Sequence, residues 1–352
     1  METVFFAVIG AFLLSFLVSA LLFSKRGSAG FLREKMLESS IFVSMAALFS
    51  TVCVLPFFWR LFDFVSGVNV WTFIVPAVGI VLVVLALLSD KKYLIPLAVL
   101  IAAVASVYVL KFRALPTDKT SLLQWGISAL CLWGYAMGFR SLVGLGKLPQ
   151  TETIVVSGGL VLLSLFAVLP LNVGIVSAAL LGAGVMAYIF SDNCPVGGDA
   201  SVVLGFLLGW LGIVASEEYL LSCFVIFSAY YIVEVSVCLI RKMSFLPKYK
   251  KMEYNSLTLQ AFLDGLPFDV ILKNVWMVSL VLIVFGLFQI NATNVYSIPA
   301  IALLITFWQI YKLLLWKEKD KSWKDVGKEF AGETKDSVVK IFNNSKNKAD
   351  KD

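Results

Sequence analysis

SDNCPVGGDASVVLGFLLGWLGIVASEEYLLSCFVIFSAYYIVEVSVCLIRKMSF, residues 191–245, decides the fold. A polar, glycine-rich loop (191–201) opens onto an apolar run. A short acidic turn of Ser216, Glu217 and Glu218 follows, then a second long apolar run, then a basic loop. Both runs are continuous rather than alternating, which predicts helices and excludes the strands of a β-barrel.

The same pattern recurs along the chain. Of 352 residues, 60% are hydrophobic and only 15% charged, against roughly 25% charged in a soluble domain. The mean hydropathy is +0.90. Apolar runs of about 18 or more residues are long enough to span a hydrocarbon core of about 30 Å. They predict an all-α polytopic membrane protein. The approximate spans are 4–23, 41–58, 71–88, 94–110, 121–138, 153–170, 173–190, 202–215, 219–240, 274–291 and 295–315, so about ten to eleven. The first run lacks a small-residue cleavage site and reads as a retained span, not a removed signal peptide.

Loop charges set the expected orientation. With the N-terminus outside, the inside loops carry Lys25, Arg26, Arg33, Lys35, Lys91, Lys92, Arg140, Lys147, Arg241, Lys242, Lys248, Lys250, Lys251 and Lys273. The outside loops carry Arg60, Lys111, Arg113 and Lys119. The tail 317–352 adds ten lysines to the inside and eight acids. It reads as a solvated tail or as a short interfacial helix on an anionic leaflet. The chain thus divides into a transmembrane domain, 1–316, and a lysine-rich cytoplasmic tail. The net charge of +6 lies mostly in these loops and the tail, so it reports topology and argues against nucleic-acid binding. The five cysteines fall mostly inside apolar runs and have no ligand spacing, so they read as small hydrophobes. Histidine is absent, which removes the commonest neutral-pH acid–base group and metal ligand.

Three segments carry a resemblance. GGDASVVLGFLLGWLGIVASEEYLL (197–221), IVEVSVCLIRKMSF (232–245) and GLPFDVILKNVWMVSLVLIVFGL (265–287) follow one another. They resemble, in order, segments of the polyprenyl-phosphate N-acetylhexosamine-1-phosphate transferase superfamily. The nearest branch is the phospho-N-acetylmuramoyl-pentapeptide transferase (MraY-like) one, within glycosyltransferase family 4. The resemblance spans roughly residues 70–290 and leaves 295–315 as an extra C-terminal span. It implies a bundle of ten spans with its active site on the cytoplasmic face of a bacterial inner membrane. It also implies transfer of a phospho-sugar from a UDP-sugar to undecaprenyl phosphate, with magnesium, for peptidoglycan synthesis and cell-wall biogenesis. Members are often dimeric, so a homodimer is the implied assembly.

Carried over position by position, the family's catalytic residues are mostly gone. Its aspartate pair falls on Ser89 and Asp90, ahead of Lys91 and Lys92. Its nucleotide-binding loop falls on 140–148, where Val143 and Gly146 stand at the two aspartates and Arg140 and Lys147 flank them. Its next aspartate falls on Gly198, with Asp199 one residue late and Gly197 before it. Its histidine loop falls near Thr258, Leu259 and Gln260. Magnesium needs near-octahedral oxygen ligands at about 2.1 Å, and one residue of displacement moves a Cα by about 3.8 Å. The lost acids therefore predict a degenerate transferase relative, a pseudoenzyme needing no cofactor. It would bind a polyprenyl-phosphate lipid or other cell-wall membrane proteins. The remnant candidates are Asp90 and Asp199, and the binding candidates are Lys91, Lys92, Arg140, Lys147, Gly197 and Gly198.

Two other readings stay open. One is an active, divergent sugar-1-phosphate transferase that holds magnesium with Asp90, Asp199 and Asp264 or Asp269. The other is a transporter or lipid-handling protein outside this superfamily. Individual residues also have plain structural roles. Asp90 with its lysines suits a solvated helix end, and the loop around Gly197 and Gly198 suits either a tight turn or an anion at a helix N-terminus. Glu234 sits inside an apolar run, where an acid marks either a pathway or an interhelical hydrogen bond.

Overall fold

The structure is a computed structural model that describes residues 2–24, 47, 71–88, 93–110, 122–142, 147–166, 168–169, 171–190, 201–217, 220–243, 257–263, 265–292 and 296–315. Among these residues every regular element is helical. In chain order they are α1 (Glu2–Ser24), α2 (Trp71–Leu88), α3 (Leu94–Leu110), α4 (Leu122–Gly138), a 3₁₀ turn (Phe139–Leu142), α5 (Leu148–Leu165), α6 (Leu171–Phe190) and α7 (Ser201–Glu217). Then come α8 (Leu221–Phe227), α9 (Ala229–Met243), α10 (Leu257–Leu263), α11 (Phe268–Gln289) and α12 (Ser297–Leu315). Helices cover the apolar runs read from the sequence, apart from 41–58, of which only Ala47 is described.

The column at the centre is α7. Every described side chain of it, from Ser201 to Ala215, is buried. A helix that is apolar all round has no solvent or lipid face to offer, so it is enclosed by others. Here α2, α4, α5, α6, α8 and the 3₁₀ turn pack on it. A second group is α1, α5 and α6, with α6 between the other two. Small residues permit the close approach of α1 and α6. A Cβ built on Gly182 would collide with the backbone of Phe12 and come within 3.1 Å of the Phe16 nitrogen.

By length and composition, α5 and α11 can each cross a membrane, and α8 with α9 makes a third candidate span, bent by 72°. The most apolar window of α5 is 78% buried and that of α11 only 33%, which places α5 inside the bundle and α11 at its edge. On α11 the exposed side chains Met277, Val281, Val284 and Phe288 recur every three or four residues. That is an apolar outer face at helical spacing, expected where the surrounding solvent is lipid. Shorter apolar stretches lie in α1, α2, α3, α6, α7 and α12.

The structure modifies three readings of the sequence. The run 219–240, read as one helix, is divided at Ser228, whose backbone (φ −89°, ψ 8°) leaves the α-helical region. The span read as 153–170 begins at Leu148, because the polar run Gln150–Thr153 is buried within the helix rather than left in a loop. The loop 241–273 contains α10, closed by a turn at Gly265, whose φ of 101° suits glycine.

A candidate functional site where the loop ends converge

Ser201 opens α7, and its Oγ donates to the Phe139 carbonyl at 3.1 Å. Four residues on, Gly205 lets the helices meet: a Cβ there would sit 2.8 Å from the Phe139 Cβ and 2.9 Å from the Ala136 carbonyl oxygen. The 3₁₀ turn and the first turn of α7 are thereby locked side by side.

The cations Arg140 and Lys147 flank the same junction. Arg140 lies half-buried in the 3₁₀ turn. Lys147 precedes α5, a start favoured by Pro149 in its first turn. Its Nζ lies 5.2 Å from the ring centroid of Tyr188, near the end of α6. Trp276 of α11 donates its Nε1–H to the Tyr188 Oη at 3.1 Å, and the two rings meet edge to face. The start of α5, the end of α6 and the first half of α11 therefore share one end of the bundle.

Beneath this mouth lies an aromatic cluster with polar handles. The Tyr135 and Tyr231 rings are 4.5 Å apart, and Phe139 lies 4.7 Å from Tyr231. The Tyr231 hydroxyl donates to the Tyr135 carbonyl. The Tyr135 hydroxyl and Ser228 Oγ are hydrogen-bonded at 3.0 Å. The first bond ties α4 to α9, and the second ties it to the break between α8 and α9.

Two carboxyls are buried in this region. Glu234 is fully buried in α9. Its two oxygens accept the backbone N–H groups of Leu257 and Thr258, at 2.9 and 3.0 Å. A helix start leaves its first N–H groups unpaired, and Glu234 satisfies those of α10 from a distant helix. Glu152 in α5 is 4% exposed, and its Oε1 has no hydrogen-bond partner.

The sequence-predicted residues are distributed unevenly over this site. Arg140 lies in the 3₁₀ turn and Lys147 immediately precedes α5, and these two elements pack on each other. Thr258 is buried and held by Glu234, Leu259 lies in the same short helix, and Gln260 is half-buried with its Oε1 unpartnered. Asp269 is exposed in the first turn of α11. Ser89, Asp90, Lys91, Lys92, Val143, Gly146, Gly197, Gly198, Asp199 and Asp264 lie outside the described residues. Among the described residues no three Asp, Glu, His or Cys side chains converge, so no magnesium cage can be drawn from them. Glu152 was not singled out from the sequence, where it stands at the edge of a loop. The signal was Pro149 three residues earlier, which marks a helix start and so places the acid inside a helix. No protein-family model matches the chain, and neither does any curated protein.

Proposed function

We propose that this chain is a degenerate, MraY-like membrane protein of ten to eleven spans. It sits in a bacterial inner membrane, N-terminus outside and tail in the cytoplasm, and binds rather than transfers. Its ligand is a polyprenyl phosphate, with other cell-wall membrane proteins as partners. The observation that carries this reading is the junction of Ser201 with Phe139. Arg140 adjoins that junction, and Lys147 precedes α5, which packs on the same turn and on α7. A phosphate headgroup on a long hydrocarbon tail needs that combination: cationic donors at the membrane boundary and apolar helix faces below them. The transferase positions that would hold a divalent cation carry Ser89, Val143, Gly146 and Gly198, none of which can ligate through a carboxylate.

The test uses the purified full-length protein in detergent. Undecaprenyl phosphate should bind, as followed by native mass spectrometry, and binding should weaken in an Arg140→Ala, Lys147→Ala double variant. UDP-MurNAc-pentapeptide and undecaprenyl phosphate should yield no UMP with magnesium. Magnesium-dependent release of UMP overturns the loss of chemistry. Lipid binding that is indifferent to the double variant removes this mouth as the headgroup site.

A further inference from the structure

The pattern Tyr-x-Ile-Pro, followed by eleven residues and a second tyrosine, occurs at 93–108 and again at 296–311. The first copy opens α3 and the second opens α12. In each, proline stands in the first turn, where its missing N–H breaks no helical bond. In each, the tyrosines bracket one exposed stripe. On α3 it is Tyr93, Leu97, Ile101, Val104 and Tyr108, and on α12 it is Tyr296, Ala300, Leu304, Trp308 and Tyr311. Steps of three or four residues keep each set on one helix face. A lysine stands just outside each stripe. Lys92 precedes Tyr93 in the chain. Lys312 follows Tyr311, with its Nζ 5.5 Å from the Trp308 ring centroid.

Tyrosine and tryptophan collect at the two membrane–water interfaces, where the ring meets lipid and the polar tip meets water. Fifteen residues separate the tyrosines of each pair. At about 1.5 Å per residue that is about 22 Å along the helix, and tilt only shortens it. The second tyrosine leans back toward the N-terminus, as helical side chains do, so its hydroxyl lies within that height. A typical hydrocarbon core of about 30 Å would submerge tyrosine hydroxyls at one surface or both, and burying a hydroxyl unpaired is costly. The outer face of α11 sets a compatible limit. Its apolar stripe lies between exposed Lys273 and Asn291, about 27 Å apart by the same rise. We propose that the stripes on α3 and α12 face acyl chains of a bilayer thinner than usual, with the tyrosines marking its two surfaces. The fitting partner is lipid with short acyl chains. The inference rests on the membrane-spanning reading, but uses neither Arg140 nor Lys147 nor a lipid carrier.

The test reconstitutes the full-length protein into phosphatidylcholine vesicles of increasing acyl length: dimyristoleoyl, dipalmitoleoyl, dioleoyl, dieicosenoyl and dierucoyl. Brominated dioleoyl phosphatidylcholine quenches tryptophan fluorescence, and competition against it gives each lipid a relative binding constant. The chain carries nine tryptophans as reporters. The constant should peak at dimyristoleoyl or dipalmitoleoyl lipid and fall roughly two- to tenfold by dierucoyl. A Tyr108→Leu, Tyr311→Leu double variant exchanges exposed side chains and lengthens both apolar stripes, so its peak should move to longer lipids. A peak at dioleoyl or longer lipid, or equal constants throughout, overturns the proposal and leaves polyprenyl-phosphate binding as it stands. A peak that the double variant leaves in place also overturns it, because the tyrosines would then set no boundary. No quenching at all overturns this inference and the membrane reading together.

Discussion

Replacing Glu234 tests the link between α9 and α10. Its carboxylate accepts the N–H groups of Leu257 and Thr258, and the side chains of Glu234, Leu257 and Thr258 are all buried. A buried N–H left unpaired costs about 1–3 kcal/mol. Glu234→Gln keeps one acceptor and turns an amide NH₂ toward the other N–H, so it should lose one bond, about 1–3 kcal/mol. Glu234→Ala leaves both donors bare, about 2–6 kcal/mol in total. The loss is local, because the donors belong to a helix of 7 residues. Amide hydrogen exchange over 257–263 reads it directly: Glu234→Gln should speed exchange there roughly five- to hundredfold. Glu234→Ala should exceed that, while α7 should be little affected. Unchanged exchange at Leu257 and Thr258 in Glu234→Ala would mean that the carboxyl does not hold this helix start, and the reasoning fails.

Glycine substitutions should separate contact from propensity. Gly205→Ala drives a Cβ into Phe139 and the Ala136 carbonyl and should destabilise by about 1–3 kcal/mol. Gly126→Ala meets nothing within 4 Å and should be neutral or stabilising by up to about 1 kcal/mol. Equal thermal midpoints for the two variants would refute the packing of α4 on α7. The bond between Tyr135 and Ser228 should appear as coupling in a double-mutant cycle. Tyr135→Phe and Ser228→Ala should each cost about 0.5–1.5 kcal/mol, and the double variant less than their sum. Strict additivity would show that the hydroxyls do not meet.

Helices were legible where hydropathy alone draws the boundary. The ends of α2 and α3 coincide with the ends of apolar runs, 71–88 and 94–110, because nothing charged lies inside them. The start of α5 was not, since Gln150, Thr151, Glu152 and Thr153 look like loop residues. The threonines are accommodated within the helix: Thr151 Oγ1 donates to the Lys147 carbonyl and Thr153 Oγ1 to that of Pro149. The break at Ser228 has no local cause in the sequence, as neither proline nor glycine stands there. It coincides with a bond to Tyr135, 93 positions earlier, a partner that no window along the chain can contain. The same distance in sequence hid the role of Glu234. Its presence inside an apolar run announced a partner, but Leu257 and Thr258 lie beyond a basic loop. At the candidate site, composition identified Arg140 and Lys147 as boundary cations. What no window along the chain contains is Ser201 reaching Phe139, beside Arg140, from 62 residues away.

The enclosure of α7 bears on how the molecule is made. Translation delivers α2, α4, α5 and α6 first, so the nascent segment 201–217 arrives to find four of its walls already synthesised. The fifth, α8, follows it out of the ribosome. Among the described residues, a chain halted at residue 217 would leave bare the flank of α7 that α8 covers. Quality control acting on unfinished membrane proteins would meet that flank first.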